Sequence, residues 1–165
     1  METTNSLSPE SWIESQPAAP STHPTPIDPV PVDTKVAAVV ATLTADYAHF
    51  PHDQTYGLYA PDVQFRDPVN QMQGREHFRR MIGWMTGWFR DLKLDLHHIS
   101  AQGSRIETRW TMSWIAPLPW QPPMVVTGRS EFEVNEQGLI ASQTDYWDCT
   151  RWQLFRQIFQ SDGRN

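Results

Sequence analysis

Apolar residues recur at helical spacing in two stretches of the first half of the chain. After Asp33, whose side chain can cap a helix N-terminus, they return every three or four positions until Pro51. The same period runs through 75–89. We therefore predict helices over 34–50 and 75–89, with a short helix over 53–59 between them.

Alternation of apolar and polar residues follows as the main pattern, which is typical of strands with one buried face. Asn135 to Gly138 has the composition of a hairpin turn between the last two strands. A terminal helix is predicted over 150–160. The predicted strands cover residues 63–67, 91–101, 104–116, 124–134 and 139–149.

The order of these elements predicts an α+β fold. Helices surround one short strand, and a long antiparallel meander follows, so one sheet must curl over the helices to bury its apolar face. Gly83 and Gly87 lie four positions apart in the helix over 75–89. We interpret this spacing as close packing of that helix on the sheet.

Composition divides the chain near residue 33. Half of the 14 prolines lie within residues 1–33, together with five acidic residues and no Lys or Arg. This composition predicts a disordered acidic tail over 1–33, including Trp12 and Ile13, and a folded domain over 34–160. The remainder is close to neutral and has no basic stripe, which argues against nucleic-acid binding.

Cysteine content and hydropathy indicate the cellular compartment in which the protein is expected. Cys149 is the only cysteine, so the chain cannot form an intrachain disulfide, and a buried, inert thiol is expected. No apolar run is long enough to cross a bilayer, and the N-terminus has neither a secretory nor a transit pattern. The sequence predicts a cytoplasmic protein without membrane insertion.

Two segments resemble the nuclear transport factor 2-like superfamily, which includes ketosteroid isomerases and SnoaL-like cyclases. They are residues 59–68 (YAPDVQFRDP) with the following Gly-Arg-Glu at 74–76, and the hairpin 135–140 leading to Asp-Tyr-Trp at 145–147. The chain is most similar to a domain family of unknown function from cyanobacteria and plant plastids. The resemblance covers about 34–150 and implies a cone: a curved antiparallel sheet wrapped on three N-terminal helices, with a pocket at its open end.

The resemblance makes Asp67 a candidate general base, because ketosteroid isomerases place a proton-transferring carboxylate there. The alternative is that Asp67 ends the strand and caps local backbone amides. Tyr47 matches the oxyanion-hole tyrosine of those enzymes. Ser130 stands where they have a protonated aspartic acid, and a serine is a weaker donor. This difference argues against steroid isomerisation.

Asp145 and Trp147 lie on one face of the last strand, and the resemblance makes that face the pocket. Asp67 and Asp145 would then share a cavity and push their pKa values apart. An epoxide-hydrolase arrangement would need an arginine between them. The nearest, Arg109, is predicted to lie on the opposite face of the sheet and to pair with Glu131 across the strands, as Glu107 would with Arg129.

Tryptophans are the most prominent candidates for a pocket wall. Trp110, Trp114, Trp147 and either Trp84 or Trp88 would line one concave space, as core filling or as a site for an apolar ligand. Trp120, in the proline-rich loop 117–123, is predicted to flank the mouth as a rigid lid.

Histidines do not indicate a metal site. His97 and His98 are adjacent on a strand, so we expect them to point to opposite faces. His49 and His52 lie at a helix end and are expected to be solvated. We predict no metal and no cofactor.

Three hypotheses remain open. The first, favoured by the missing acid at Ser130, is a small-molecule-binding domain for a hydrophobic ligand rather than an enzyme. The second is an enzyme of isomerase, cyclase or hydrolase type with Asp67 as catalytic base. The third is an interaction module that forms a homodimer through the outer face of the sheet. The predicted ligand-binding residues are Tyr47, Asp67, Trp110, Ser130, Asp145 and Trp147.

Overall fold

The computed structural model describes residues 33–160. Apart from Asp33, the predicted tail over 1–33, with Trp12 and Ile13, lies outside the described residues. The elements are α1 (Thr34–His49), a 3-10 turn (Tyr56–Leu58), β1 (Tyr59–Arg66), β2 (Gln71–Gln73), α2 (Arg75–Trp88), β3 (Arg90–Gln102), β4 (Arg105–Ile115), β5 (Pro123–Val134), β6 (Ile140–Trp147) and α3 (Arg151–Gln160).

Helix α1 begins as predicted, because the Asp33 side chain accepts a hydrogen bond from the Lys35 amide at 2.9 Å. Its apolar face is buried against the sheet. Asp46 is buried on the same helix and accepts hydrogen bonds from the amide and the hydroxyl of Thr55 at 3.0 and 2.8 Å. These bonds fix the loop after α1 to the helix.

The strands form one sheet in the order β2-β1-β6-β5-β4-β3, with β1 and β6 parallel and all other neighbours antiparallel. The predicted α+β class, with helices on a curved sheet, is confirmed. The sheet is mixed, because β1 lies beside β6 and runs in the same direction. Helix α3 is the predicted terminal helix and begins at Arg151.

The predicted helix over 53–59 is wrong, because only Tyr56–Leu58 forms a single 3-10 turn. The strand expected at 63–67 begins earlier, at Tyr59, and contains Pro61. Its pairing with β6 is irregular between Tyr59 and Gln64. A proline is tolerated there because it has no N–H to contribute to a regular ladder.

The predicted close packing at Gly83 and Gly87 is also wrong. Both are exposed, and a Cβ added at either would meet nothing within 4 Å. Helix α2 instead buries Phe78 and Ile82, which lie on its opposite face. The close backbone approach occurs at Gly128, on β5.

The inner face of the sheet follows the predicted alternation. Ile106, Thr108 and Trp110 of β4 are buried, and Arg109 faces outward as expected. The predicted cross-strand ion pairs are wrong, because the register places like charges opposite each other. Arg109 stands across from Arg129, and Glu107 from Glu131. Each arginine pairs along its own strand, Arg109 with Glu107 at 3.8 Å and Arg129 with Glu131.

A bulge in β3 changes the predicted orientation of the two histidines. Leu96 pairs with Trp110 and His98 with Arg109, so the register shifts by one residue between them. His97 and His98 are therefore both exposed, between residues that face inward. The expectation that they point to opposite faces is wrong.

Candidate functional site

A cavity of about 500 Å³ lies between the inner face of the sheet and the three helices. Its wall is mostly aromatic and aliphatic. The exposed members of the lining lie on α2, on α3 and in the loop after β1, so the mouth opens between these segments. Large lining side chains are Trp84, Phe89, Trp110, Met112, Trp114 and Trp147.

All the side chains predicted to bind a ligand lie on this lining, although they come from separate elements of the chain. One belongs to α1, one follows β1, and the others belong to β4, β5 and β6. The six are Tyr47, Asp67, Trp110, Ser130, Asp145 and Trp147.

A polar row crosses the floor of the cavity. Thr108, Ser130 and Asp145 are register partners on β4, β5 and β6. The Tyr47 hydroxyl shares a 3.0 Å hydrogen bond with the Thr108 hydroxyl, and the Trp110 indole N–H donates to Ser130 Oγ at 2.8 Å. Burial raises the pKa of Tyr47 above its usual value, so its phenol stays neutral. The row therefore joins two aromatic side chains of the wall, Tyr47 and Trp110, to one ionisable carboxyl, that of Asp145.

Asp145 is the ionisable group of that floor. The pKa of its carboxyl is raised from 3.8 to about 6, because burial and, less strongly, the charge of Asp67 outweigh the lowering effect of the Ser130 and Gln143 side chains. Gln143 Nε2 donates to Asp145 Oδ1 at 3.0 Å. At neutral pH the carboxyl is largely ionised but poorly solvated.

Gln143 was missed by the sequence analysis. Its side chain is only 8% exposed, and its Oε1 is buried with no hydrogen-bond partner among the described residues. The signal was available, because Gln143, Asp145 and Trp147 alternate along β6 and share its cavity face. The Gln143 Oε1 therefore lacks the hydrogen bond that a buried polar atom ordinarily has.

Asp67 lies at the rim, and its carboxylate is used by its own loop. Oδ1 accepts from the amides of Val69 at 2.7 Å and Asn70 at 2.5 Å, and Oδ2 accepts from Asn70 Nδ2 at 3.1 Å. This is the capping alternative considered for the Asp-Pro pair. Of Asp67 and Asp145, the two carboxylates predicted from the sequence, Asp67 has both oxygens engaged by its own loop, whereas Asp145 Oδ1 accepts from Gln143.

The tryptophans divide between wall and surface. Trp84 reaches the mouth, whereas Trp88 is exposed outside the lining. Trp114 packs on Phe89, with ring centroids 5.5 Å apart. The predicted lid role of Trp120 is wrong, because its indole is outside the lining and donates to a carbonyl of α3 at 2.8 Å.

Helix α3 covers part of the mouth in place of that loop, with Leu154 and Phe155 on the lining. Gln157 holds it to the sheet. Its side-chain amide pairs with both the N–H and the C=O of Val125, each at 2.8 Å, at a part of β5 beyond the ladder with β6. The sequence predicted this helix but not its position over the cavity.

Other candidate chemistry is weak in the part of the chain that the structure describes. Between residues 33 and 160, no three His, Cys, Asp or Glu side chains are placed to share a metal ion. His49 Nδ1 bonds to its own helix, and burial raises the pKa of the Cys149 thiol. Of the described helices, none has the length and apolar character needed to cross a membrane.

The family model for an uncharacterized conserved protein (DUF2358) matches residues 37–143, and the chain belongs to this family. No curated protein sequence matches significantly.

Solved structures show the nuclear transport factor 2-like fold. A protein of this fold from Burkholderia thailandensis is 12% identical, with a TM-score of 0.64 and coverage of 76% of this chain and 97% of that one. A hypothetical protein with a ketosteroid isomerase-like fold from Catenulispora acidiphila, in complex with trimethylamine, is 15% identical, with a TM-score of 0.60 and coverage of 72% and 90%. An LEH-like epoxide hydrolase from M. tuberculosis is 20% identical, with a TM-score of 0.57 and coverage of 78% and 92%.

Proposed function

We propose that this domain binds a small, largely hydrophobic molecule in the cavity, with the six lining residues named above as its contacts. The observation that carries the proposal is the cavity itself, which residues 33–160 leave open although they include seven tryptophans. About 500 Å³ lies within the range of small-molecule sites, and an apolar wall with a few polar groups on one side is their usual composition.

The neighbours in structure support a small-molecule role at the level of fold. One was solved with trimethylamine, and another is described as an epoxide hydrolase. Both descriptions concern small molecules, whereas the identities, at 15% and 20%, carry no specific activity to this chain.

The test is calorimetric titration of the protein with a panel of hydrophobic compounds, after mass spectrometry of any molecule that co-purifies. Trp147→Ala removes a half-buried wall residue and is expected to weaken binding at least about tenfold, because a large aromatic contact is lost. Trp88→Ala removes an exposed tryptophan outside the cavity and serves as the matched control. Equal affinity in both variants would place binding elsewhere.

A second candidate is proton-transfer catalysis with Asp145 as the base. Its pKa of about 6 is close to the operating pH, as a general base requires, whereas the oxygens of Asp67 are engaged by its own loop. Turnover of a cyclic carbonyl substrate that is lost in Asp145→Asn and kept in Asp67→Asn would support it. The reverse pattern would restore Asp67 as the base.

Homodimer formation through the outer face of the sheet stays a prediction. The row of Glu107 and Glu131 lies next to the row of Arg109 and Arg129, so a second copy turned by a two-fold axis would align opposite charges. A native mass of twice 19.1 kDa, reduced by Glu131→Arg, would support it. A cytoplasmic location and a link to cyanobacteria and plastids also stay predictions, to be tested by fractionation and by the distribution of relatives.

A further inference from the structure

We propose that the ligand carries a protonated amine, held at the cavity floor by Asp145 and Gln143. This inference rests on the proposed function and names the ligand class. It begins from the charges on the lining, where Asp46, Asp67 and Asp145 stand against one guanidinium, that of Arg151. Arg151 lies on α3 at the mouth and is exposed, so the interior of the cavity is acidic.

The three carboxylates differ in accessibility, because Asp46 is only 6% exposed whereas Asp67 and Asp145 are half-buried. Asp46 is engaged by the backbone and hydroxyl of Thr55, and Asp67 accepts three hydrogen bonds from its own loop. Asp145 accepts a hydrogen bond from Gln143 Nε2 at 3.0 Å, and Ser130 is its register partner on β5. A carboxylate has about four acceptor positions, so some remain for a group in the cavity.

Gln143 supplies an independent second acceptor. The donor end of its amide is fixed on Asp145, and its Oε1 is left without a partner although the residue is more than nine-tenths buried. An unmade hydrogen bond of this kind is costly, so a ligand donor that reaches Oε1 gains by satisfying it. Gln143 and Asp145 lie two residues apart on the cavity face of β6, so an ammonium group with up to three donors could be shared between the charged carboxylate and the amide oxygen.

The aromatic wall suits the same group. Gly128 on β5 pairs with Trp110 on β4 and with Trp147 on β6. The two tryptophans therefore lie on either side of Gly128, in the row of the sheet next to the row that contains Asp145. Indole faces attract cations, and the attraction grows when the cation is desolvated. An apolar amine would therefore have π faces around a charge that Asp145 neutralises.

Other polar ligands fit less well. The Trp110 indole N–H is already used by Ser130, and the Tyr47 hydroxyl is shared with Thr108. The floor thus offers hydrogen-bond acceptors but no free cationic donor. A carboxylate or phosphate group on a ligand would therefore be repelled by the negative charge of Asp145. A neutral alcohol can donate only one hydrogen bond and brings no charge.

The experiment compares 1-adamantanamine with 1-adamantanol, which share their apolar body, by calorimetric titration at pH 8. We expect the amine to bind at least about tenfold more tightly, since charge-assisted hydrogen bonds are roughly twice as strong as neutral ones. Asp145→Asn should abolish the preference and Gln143→Leu should reduce it. Asp95→Asn, which removes an exposed carboxylate on β3, should leave it unchanged.

The outcomes separate the two proposals. Equal binding of both compounds, or an amine preference that survives Asp145→Asn, would overturn the amine inference and leave the binding cavity standing. If neither compound binds and the hydrophobic panel also fails, both proposals are overturned. Thermal melting of each variant verifies that it folds, and the Asn substitution is nearly isosteric with Asp.

Discussion

The indole of Trp110 occupies the space in front of Gly128, its register partner on the neighbouring strand. A Cβ built on Gly128 would lie 2.9 Å from Trp110 Cη2 and would overlap the carbonyl oxygen of Tyr146. Neither neighbour can yield easily, because Trp110 is held by its hydrogen bond to Ser130 and the carbonyl belongs to the backbone of β6. The aromatic floor of the cavity therefore depends on the absence of one side chain.

Gly128→Ala is expected to lower the free energy of unfolding by about 1–3 kcal/mol or more, because the added methyl group overpacks a site bounded by backbone. Urea denaturation measures the loss, and titration of the apolar panel should show weaker binding as Trp110 shifts. An unchanged denaturation midpoint would mean that the sheet is looser here than the structure indicates.

Gly87→Ala provides the opposite case. A Cβ at Gly87 meets nothing within 4 Å, and the residue lies inside α2 on its exposed face. The substitution should stabilise the domain by about 0.4–1 kcal/mol, because alanine loses less backbone freedom than glycine on folding. A destabilised variant in the same urea titration would show that this face of α2 has a packing partner.

Ser130→Ala tests the polar row. It leaves the buried Trp110 N–H without an acceptor and should cost about 1–3 kcal/mol of stability. Ser100→Ala, on the exposed face of β3, is the control and should change stability by less than about 0.5 kcal/mol. Similar losses in the two variants would indicate that the indole finds another acceptor.

Much of the fold could be predicted because local rules act on single elements. The Asp33 cap, the apolar period of α1 and α2, and the alternation along β4 all reflect contacts within one element or with one buried face. The prediction of a helix over 53–59 was wrong because the composition of this segment carries no strong local signal. Tertiary contacts determine its structure, and only Tyr56–Leu58 forms a turn of 3-10 helix. The parallel pairing of β1 with β6 is non-local and has no signature in either strand.

The six residues predicted from the sequence line one cavity, but the sequence did not predict the contacts that distinguish them. Alternation on β6 and the resemblance to a known superfamily brought Asp145 and Trp147 to one face. Asp67 and Asp145 differ in whether amides of a neighbouring loop donate hydrogen bonds to the carboxylate. The spacing of residues in the sequence does not determine this. The position of α3 over the mouth likewise depends on Gln157 meeting Val125, two residues 32 apart.

Asp67→Asn and Asp67→Ala should separate the capping role from a catalytic one. Asparagine keeps an oxygen for the amides of Val69 and Asn70, so its effect on stability should be small. Alanine removes every acceptor and should cost about 1–2 kcal/mol. Stability follows from urea denaturation, with ligand titration alongside. If both variants remained equally stable, the loop bonds would contribute little, and the carboxylate would be free for another role.

Asp145 should make the free energy of unfolding fall as the pH rises, whereas most native carboxylates make it rise. Its pKa rises from 3.8 to about 6 in the folded state, so between these values the native protein binds more protons than the unfolded chain. Stability from this group is therefore complete below about pH 4 and is lost as the pH rises through 6. The full loss is at most about 3 kcal/mol, from roughly two pKa units at 1.36 kcal/mol each.

Asp145→Asn removes that titration and keeps the shape of the side chain. The variant should be more stable than the wild type at pH 8, by up to about 3 kcal/mol, and within about 1 kcal/mol of it at pH 4, because the wild-type carboxyl is then neutral in the folded state and only about half ionised in the unfolded chain. Urea denaturation of both proteins from pH 4 to 8 measures the difference, in which the other carboxylates cancel. A difference that does not change with pH, or that grows toward low pH, would contradict the burial of this carboxyl. In the amine proposal, the positive charge of the ligand would offset this cost of ionising Asp145.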